Sequence, residues 1–444
     1  MKNGIPEDFK NRDYKIRRAQ NWLIIGFLYS VFYMSRYNFS AITPALKTAF
    51  GWDNPDLGLF ETFMPLVYGL SVVFNGPIAD RVGGRKAFLF GAAGVVVLNT
   101  LFGAAHFYSD ALGPAGTLYL LVVIWSLNGY FQSFGALSIV KINAQWFHIR
   151  ERGTFAAIFG VLIRFGLVLA FSATPLIAKY MDWYWAFWIP AGLVFILFLL
   201  TLLRVADTPE DAGFGDLDTG DESADEAGES GAKVRLIDVL KKVFTRRVMW
   251  MIALGSMMIG VIRRSIVDAW WPLYFDKVHG ISGTAIPHQI AAWGIAIAGI
   301  GGGFLFGIMS DRVFKGRRAP VVVYGFVGMA LAMGLFFFSD YLNLGPWGAV
   351  VCLLLMSMSV NGAHGMIGGA ASMDFGGRKA AATAAGLFDG MQYLAASFTG
   401  ITVGYITSEW GWQVWKVWPI PFAVLGIIIM SLLWNATPKG KSGH

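Results

Sequence analysis

The strongest constraint on this chain is a charged loop written twice into an otherwise apolar sequence. Gly76-Pro-Ile-Ala-Asp80-Arg81-Val-Gly83-Gly-Arg85-Lys86 follows one hydrophobic run, and Gly307-Ile-Met-Ser-Asp311-Arg312-Val-Phe-Lys315-Gly316-Arg317-Arg318 follows another 231 residues later. A second landmark returns at a similar interval, Ser126-Leu-Asn128-Gly129 as Ser359-Val-Asn361-Gly362. Duplication over half of a 444-residue chain predicts two homologous bundles, repeated in parallel about an axis along a membrane normal, with a site between them.

Only 14% of the residues are charged and 56% are hydrophobic, whereas a soluble domain carries about 25% charge. Most of the surface must therefore face lipid. Apolar runs long enough to cross a bilayer are expected near 22–46, 57–80, 86–106, 115–145, 153–176, 184–204, 248–275, 287–310, 319–339, 346–373, 381–406 and 414–435. Strand alternation is absent, so the expected fold is an all-α membrane protein of twelve transmembrane helices in two pseudo-symmetric six-helix bundles. Residues 1–204 form the first bundle, 205–247 a linker and 248–444 the second bundle. From Asp207 to Glu229 the linker is acidic and glycine-rich, which predicts disorder. From Val234 to Phe244 apolar and basic residues alternate at helical spacing, which predicts a segment on the membrane surface.

Lys and Arg sort by side. One set of loops holds the N-terminal basic residues, Arg81, Arg85, Lys86, Arg150, Arg152, Lys233 to Arg247, Arg312, Lys315, Arg317, Arg318, Arg378, Lys379, Lys439 and Lys441. The other holds little more than Lys47, Lys179, Lys277 and Lys416. The positive-inside rule puts both termini and the linker in the cytoplasm, and a bacterial inner membrane is the expected location. The net charge of +7 is thus topological and does not indicate a nucleic-acid partner. The first twenty residues are polar, and no cleavable signal peptide is expected. The single cysteine, Cys352, excludes an intrachain disulfide.

In the duplicated loops, Gly76 and Gly307 are expected to let another helix approach closely. Asp80 and Asp311, at helix ends beside Arg81, Arg85 and Arg312, are expected to form a cytoplasmic latch that opens as the bundles rock.

Ionisable residues at membrane depth are costly and are candidates for function. Arg36 lies mid-span in helix 1, and Arg263 and Arg264 lie at similar depth in helix 7. The 227 residues between Arg36 and Arg263 are close to the repeat length and suggest pseudo-symmetry mates. Two converging guanidiniums can clamp an oxyanion. Asp268, one turn from Arg264, is placed to neutralise it. Arg164 is a further candidate for substrate contact, and His364 for anion binding or titration. Asp389 is read as a coupling or charge-pairing residue, and Glu61 as a gate. Tyr37, Asn128, Gln132 and Tyr393 add polar atoms to the expected cavity, as do Tyr33, Asn38, Tyr68, Tyr274, Asn361 and Gln392. No nucleotide loop, metal cluster or nucleophile elbow is present in the sequence, so no enzymatic activity, metal or cofactor is expected.

The sequence resembles the major facilitator superfamily over nearly its whole length, through its paired Gly-x-x-x-Asp-Arg loops. Within it, several stretches are similar to the organophosphate:phosphate antiporter family. These are Tyr33-x-x-Arg36-x-x-Phe39-x-x-x-x-Pro44-x-Leu46, Gly129-Tyr-Phe-Gln132, Arg263-x-x-Ile-x-Asp268, and the run from Arg378 to Gly386. The resemblance implies alternating access around a phosphate bound by Arg36 and Arg263. Glycerol-phosphate members of that family carry lysines where Tyr37 and Val72 stand here, and a histidine at the position of Ile163. Asp389 has no counterpart in the antiporters that align.

The expected function is therefore secondary active transport of a small organic anion, an organophosphate exchanged for inorganic phosphate, by one chain acting as a monomer in the lipid bilayer. A proton-coupled symporter of a carboxylate or sulfonate, or a sensor of a phosphorylated ligand that does not transport it, are the alternatives.

Overall fold

A computed structural model of the chain describes residues 9, 11–148, 151–215, 217, 219, 247–371 and 381–436, with backbone alone at 73, 80, 152–157, 369–371 and 381–385. Arg150, Arg378, Lys379, the stretch 234–244 and the side chain of Asp80 lie outside the described residues.

Local chemistry sets the helix ends. Helix α1 (Arg12–Ala41) starts at Asn11, whose side chain accepts from the Asp13 N–H at 2.9 Å, and breaks at Ile42 before Pro44. The short α2 (Thr43–Phe50) ends on Gly51 at φ +70°. Helix α3 (Asn54–Val82) opens with a reciprocal capping box between Asp53 and Asp56. After α4 (Gly84–Gly103) comes α5 (Ala105–Gln132), broken by Gly113 (φ +69°) before Pro114. It continues into α6 (Phe134–Trp146). Helix α7 (Arg152–Val168) passes through a π-helical turn (Leu169–Ala173) into α8 (Thr174–Tyr180), and α9 (Trp185–Arg204) closes the first half.

The second half runs α10 (Arg247–Ile262), a π segment (Arg263–Asp268), α11 (Trp271–His279), α12 (Ile286–Ile308) with a π end (Met309–Val313), and α13 (Arg318–Phe338). Then come α14 (Gly345–Gly365) with a π end (Met366–Ala371), α15 (Ala381–Tyr405) with a π end (Ile406–Trp410), α16 (Gly411–Val417) and α17 (Ile420–Ser431).

By length and composition alone, nine stretches among the described residues qualify as membrane spans. One of them, Gly386–Ser431, is two helices, because Gly411 at φ +81° turns the chain inside it. Two further crossings, α1 with α2 and α3, have the required length. Nine, one and two make twelve spans, and an even number leaves both ends of the described chain on one face, called here the terminal face.

Residues 205–215, expected to begin a disordered linker, instead pack on the first half. Gly83 has no side chain with which to cap α4, and Asp207 supplies one, its Oδ1 accepting from the Arg85 N–H at 2.6 Å. Asn21 exchanges hydrogen bonds with both backbone groups of Ala206, at 2.8 and 3.1 Å. The Phe214 ring meets Tyr14 edge-on at 5.5 Å. A capping carboxylate and a partly buried ring outweigh the acidic composition over this stretch.

The two halves meet most closely along α3 and α15. A methyl group added at Gly58 would lie 2.6 Å from the Gly400 carbonyl oxygen, and one at Gly404 would lie 2.6 Å from that of Asn54. Asn54 donates to Thr407 at 2.9 Å, and the Ile401 N–H donates to Thr62 at 2.8 Å. Farther round, Ser172 hydrogen-bonds Gln289, and Gly283 packs on Pro175. These contacts shut the seam on the face opposite the termini.

Toward the terminal face the tight seam reaches Gly69, where an added methyl would stand 3.0 Å from Tyr393 Cβ. A methyl at Gly76 or at Gly307 would meet nothing within 4 Å, so neither glycine provides the close helix approach expected from the sequence. The charged loop of the second half pairs internally, Arg318 with Asp311 at 2.9 Å and with Ser310 at 2.8 Å. Arg81 and Arg312 are exposed, while Arg85 donates to the Leu202 carbonyl.

Gly400→Val places branched carbons against the backbone of Glu61 and Thr62 and should wedge this seam apart. In a Cys352→Ser background, a cysteine placed at the buried Ala41 should then react faster with a membrane-impermeant maleimide than it does without the valine.

Candidate functional site

Four arginines and three carboxylates occupy the seam at mid-membrane. Arg36, on α1, is 1% exposed. Its Nη1 donates to the Tyr393 hydroxyl of α15 at 3.3 Å and its Nη2 to Gln132 Oε1 of α5 at 3.2 Å. Its guanidinium carbon lies 4.4 Å from the centre of the Tyr68 ring and 4.7 Å from that of Tyr33. Its Nε is buried without a partner. Among the described residues no carboxylate pairs with it, so a full charge is held by π faces and neutral oxygens.

Arg263 differs, because the π turn from Arg263 to Asp268 widens the helix. Residues five apart then share a face. Asp268 accepts from Arg263 Nε at 2.8 Å and from the Tyr37 hydroxyl at 3.3 Å. Asp268 was expected to neutralise Arg264, as an α-helical turn would arrange, and the π turn hands it to Arg263 instead. Arg264 crosses the seam to Glu61 of α3, where the pair is almost fully buried. Ser40, one turn beyond Arg36 on α1, donates to the other oxygen of Glu61 at 2.5 Å. Tyr37 lies between the two pairs, its ring 5.4 Å from the Arg264 guanidinium carbon.

Arg164, on α7, also crosses the seam and donates to Asn361 Oδ1 of α14. His364 donates from Nδ1 to Gln392 Oε1 at 2.8 Å. Asp389 lies one turn before Tyr393 on α15, close enough for its charge to act on Tyr68, Tyr393 and His364, and no partner holds it among the described residues. Among the described residues, two of the four arginines are thus closed in ion pairs and two are not.

A small cavity at this level, lined by Gly260, Arg263, Arg264, Asp268, Gln392, Tyr393 and Ala396, has room for about one water molecule at ≈ 10 Å³. A larger one of ≈ 270 Å³ lies toward the opposite face between Pro44, Pro175 and Pro272, and its cation is the exposed Lys179. Size and charge therefore point to different places. An anion is recognised by charge, so the smaller site is the functional candidate.

Residues 25–400 match the model of the Major Facilitator Superfamily. The chain belongs to the Major Facilitator Superfamily. Curated relatives align end to end with this superfamily member. One is a glycerol-3-phosphate transporter of Bacillus subtilis, 28% identical over 96% of this chain and 95% of that one. Another, a probable hexose phosphate transport protein of Chlamydia trachomatis, is 25% identical over 98% and 94%. A membrane sensor protein of Escherichia coli, UhpC, is 24% identical over 96% and 94%. The crystal structure of a D-xylose-proton symporter superposes with a TM-score of 0.72 at 16% identity, over 95% of this chain and 98% of that one, and shares the fold.

The fold of this superfamily member brings Arg36, Arg263, Arg264, Tyr37, Gln132, Tyr393, Glu61 and Asp268 into one cluster. Arg164, His364 and Asp389 flank it. It does not bring Asn128 there. Asn128 donates to the Ser35 carbonyl at 3.2 Å and accepts from Asn99, which in turn accepts from Asn38 at 3.1 Å, so these amides tie α1, α4 and α5 together. Tyr274 is also away from the site, packed against Phe336, Trp415 and Lys416. Sequence reasoning missed Ser40, whose i+4 spacing from Arg36 was the available signal. It named Tyr33 and Tyr68 only as polar atoms, whereas their ring faces hold the cation.

Removing one member of a buried ion pair strands the other, at a cost of about 3–5 kcal/mol, whereas replacing both with apolar groups is nearly neutral. Glu61→Leu should therefore lower the melting temperature sharply. Adding Arg264→Met to it should restore most of the loss, and a double-mutant cycle of thermal melts reads the coupling.

Proposed function

We propose that this protein is a secondary active transporter that exchanges a small organophosphate for inorganic phosphate, with Arg36 and Arg263 binding the phosphate. The observation that carries this is the buried Arg36 guanidinium, whose neighbours among the described residues are neutral. A cation desolvated in this way gains most from a ligand that brings the missing negative charge. Arg263 is adjacent, 5.8 Å from the Tyr393 ring that also serves Arg36, and a phosphate can displace Asp268 as its partner. The glycerol-3-phosphate and hexose phosphate relatives support the same ligand class.

Transport follows from which contacts each state can keep. With the seam shut on the opposite face, the site is reached from the terminal face. Rocking the two six-helix halves, 1–204 and 248–444, breaks Glu61–Arg264 and the α3–α15 contacts, and lets the charged loops around Asp80, Asp311 and their arginines meet. The basic loops support a cytoplasmic terminal face, and the bacterial relatives support an inner membrane. One chain supplies both walls of the site, so the functional unit is a monomer.

Two further readings have an observation each. Asp389 has no counter-charge among the described residues and could carry a proton in a symport cycle. The sensor relative favours ligand binding without flux.

Purified protein in liposomes preloaded with phosphate should take up labelled phosphate and glycerol 3-phosphate in exchange. Arg36→Ala and Arg263→Ala should each lower that exchange on the order of 100-fold, the loss of one buried charge pair. Exchange that survives either substitution overturns the reading. Saturable binding without exchange moves it to the sensor, and uptake that requires a proton gradient moves it to symport.

A further inference from the structure

We infer that Gln392 is a further ligand of the phosphate, donating a neutral N–H from the second half, and that His364 is the residue that positions it. This deepens, and rests on, the reading of Arg36 and Arg263 as the phosphate site. Gln392 lies on α15 directly before Tyr393 and is 2% exposed. It borders the same small cavity as Arg263, Arg264 and Asp268.

A primary amide has two ends, and here they are used unequally. The Oε1 atom accepts from His364 Nδ1 of α14 at 2.8 Å, and the Ser256 hydroxyl of α10 stands 3.3 Å from the same oxygen. The Nε2 atom is buried and has no partner among the described residues. A buried N–H without an acceptor is costly, and a ligand that brings an acceptor lifts that cost. The cavity that Gln392 borders has room for about one oxygen atom, at ≈ 10 Å³.

His364 sets which end is left over. With its proton on Nδ1 the imidazole binds only an acceptor there, so it holds the amide oxygen and leaves the NH2 end free. With Nδ1 bare it would take the NH2 end instead, and the amide would offer the site an oxygen that repels an oxyanion. The stem of the glutamine has little room to compensate. At Gly260 of α10 an added methyl would lie 2.8 Å from Gln392 Cγ. Ser256 is itself tied to the Phe388 carbonyl at 2.8 Å, one turn before Gln392. Helices α10 and α14 thus grip the side chain from two sides and fix its amide as a donor.

The test titrates phosphate against the melting temperature of the purified protein. The phosphate-dependent rise reads binding, and the melting temperature without phosphate reads stability. Gln392→Met keeps the length of the side chain and removes the amide, and it should weaken phosphate about tenfold or more, the usual worth of a hydrogen bond to a charged group. His364→Leu should weaken it severalfold, and His364→Asn, which offers an N–H at the place of Nδ1, should recover part of that loss. In the Gln392→Met background His364→Leu should cost no further affinity, because His364 acts through the amide. A Gln392→Met protein that melts lower without phosphate yet binds it as tightly as wild type overturns the proposal, since a glutamine that only joins three helices would behave in that way. Additive losses from His364→Leu and Gln392→Met overturn the positioning role. If Gln392→Met does not fold, equal losses in His364→Leu and His364→Asn overturn it. A rise that Arg36→Ala abolishes and Gln392→Met leaves intact counts against this proposal alone, whereas a wild type with no phosphate-dependent rise overturns the phosphate site as well.

Discussion

The structure turns on one positive charge that has been taken out of water and has no negative partner among the described residues. Arg36 sits on α1 at mid-membrane, and what surrounds it is arranged to make that tolerable without neutralising it. The faces of Tyr33 and Tyr68 offer quadrupolar attraction, while Gln132 and Tyr393 accept or share its N–H groups. Ion pairing with a resident carboxylate would hold it more firmly and would also compete with any anionic ligand. Neutral neighbours from α1, α3, α5 and α15 keep the charge available. Three of these elements belong to the first half and one to the second, so whatever binds Arg36 touches both walls.

The seam around this charge combines two kinds of contact. The glycines of α3 and α15 allow backbone to approach backbone, which excludes water and fixes the helix spacing. The Glu61–Arg264 pair adds a directional contact between the same halves, one turn from the site. A pair of this kind adds little stability over a well-packed apolar contact. Its use lies in being sensitive to the charge beside it. Under the proposed function, an anion that drew Arg264 or Arg263 toward itself would weaken the hold of Glu61 and Asp268 and so connect ligand binding to the closure of the opposite face.

The helices and their number were readable from apolar runs, because lipid demands about twenty such residues per crossing. The arginines were readable too, since charge inside an apolar run stands out. Their partners were not. Glu61 and Arg264 are far apart in sequence, and no local pattern announces a pair made across two bundles. Asp268 was assigned to the wrong neighbour because α-helical spacing was assumed where the chain makes a π turn. Asn128 carried the right chemistry at the right depth, and only the observed bonds to Ser35 and Asn99 show that it faces into its own half. Asp207 was lost in an acidic stretch because a cap is defined by the helix it serves, and that helix begins more than a hundred residues earlier.

The π segments have a meaning for how such a chain changes over time. Each holds one residue more than the α-helical path needs, and everything beyond it is rotated by about 100° relative to an uninterrupted helix. In the segment from Arg263 to Asp268, deletion of a single residue would restore a regular helix without shortening the span by even half a turn. It would also bring Arg263 and Asp268 to the four-residue spacing that shares one face of an α-helix, whereas the same deletion in a regular helix rotates everything beyond it by about 100°. A one-residue gap or insertion taken up at a π turn thus keeps the helical phase that it would shift elsewhere in the span. A π turn is therefore a place where such a helix can gain or lose a residue while the side chains beyond it stay in register.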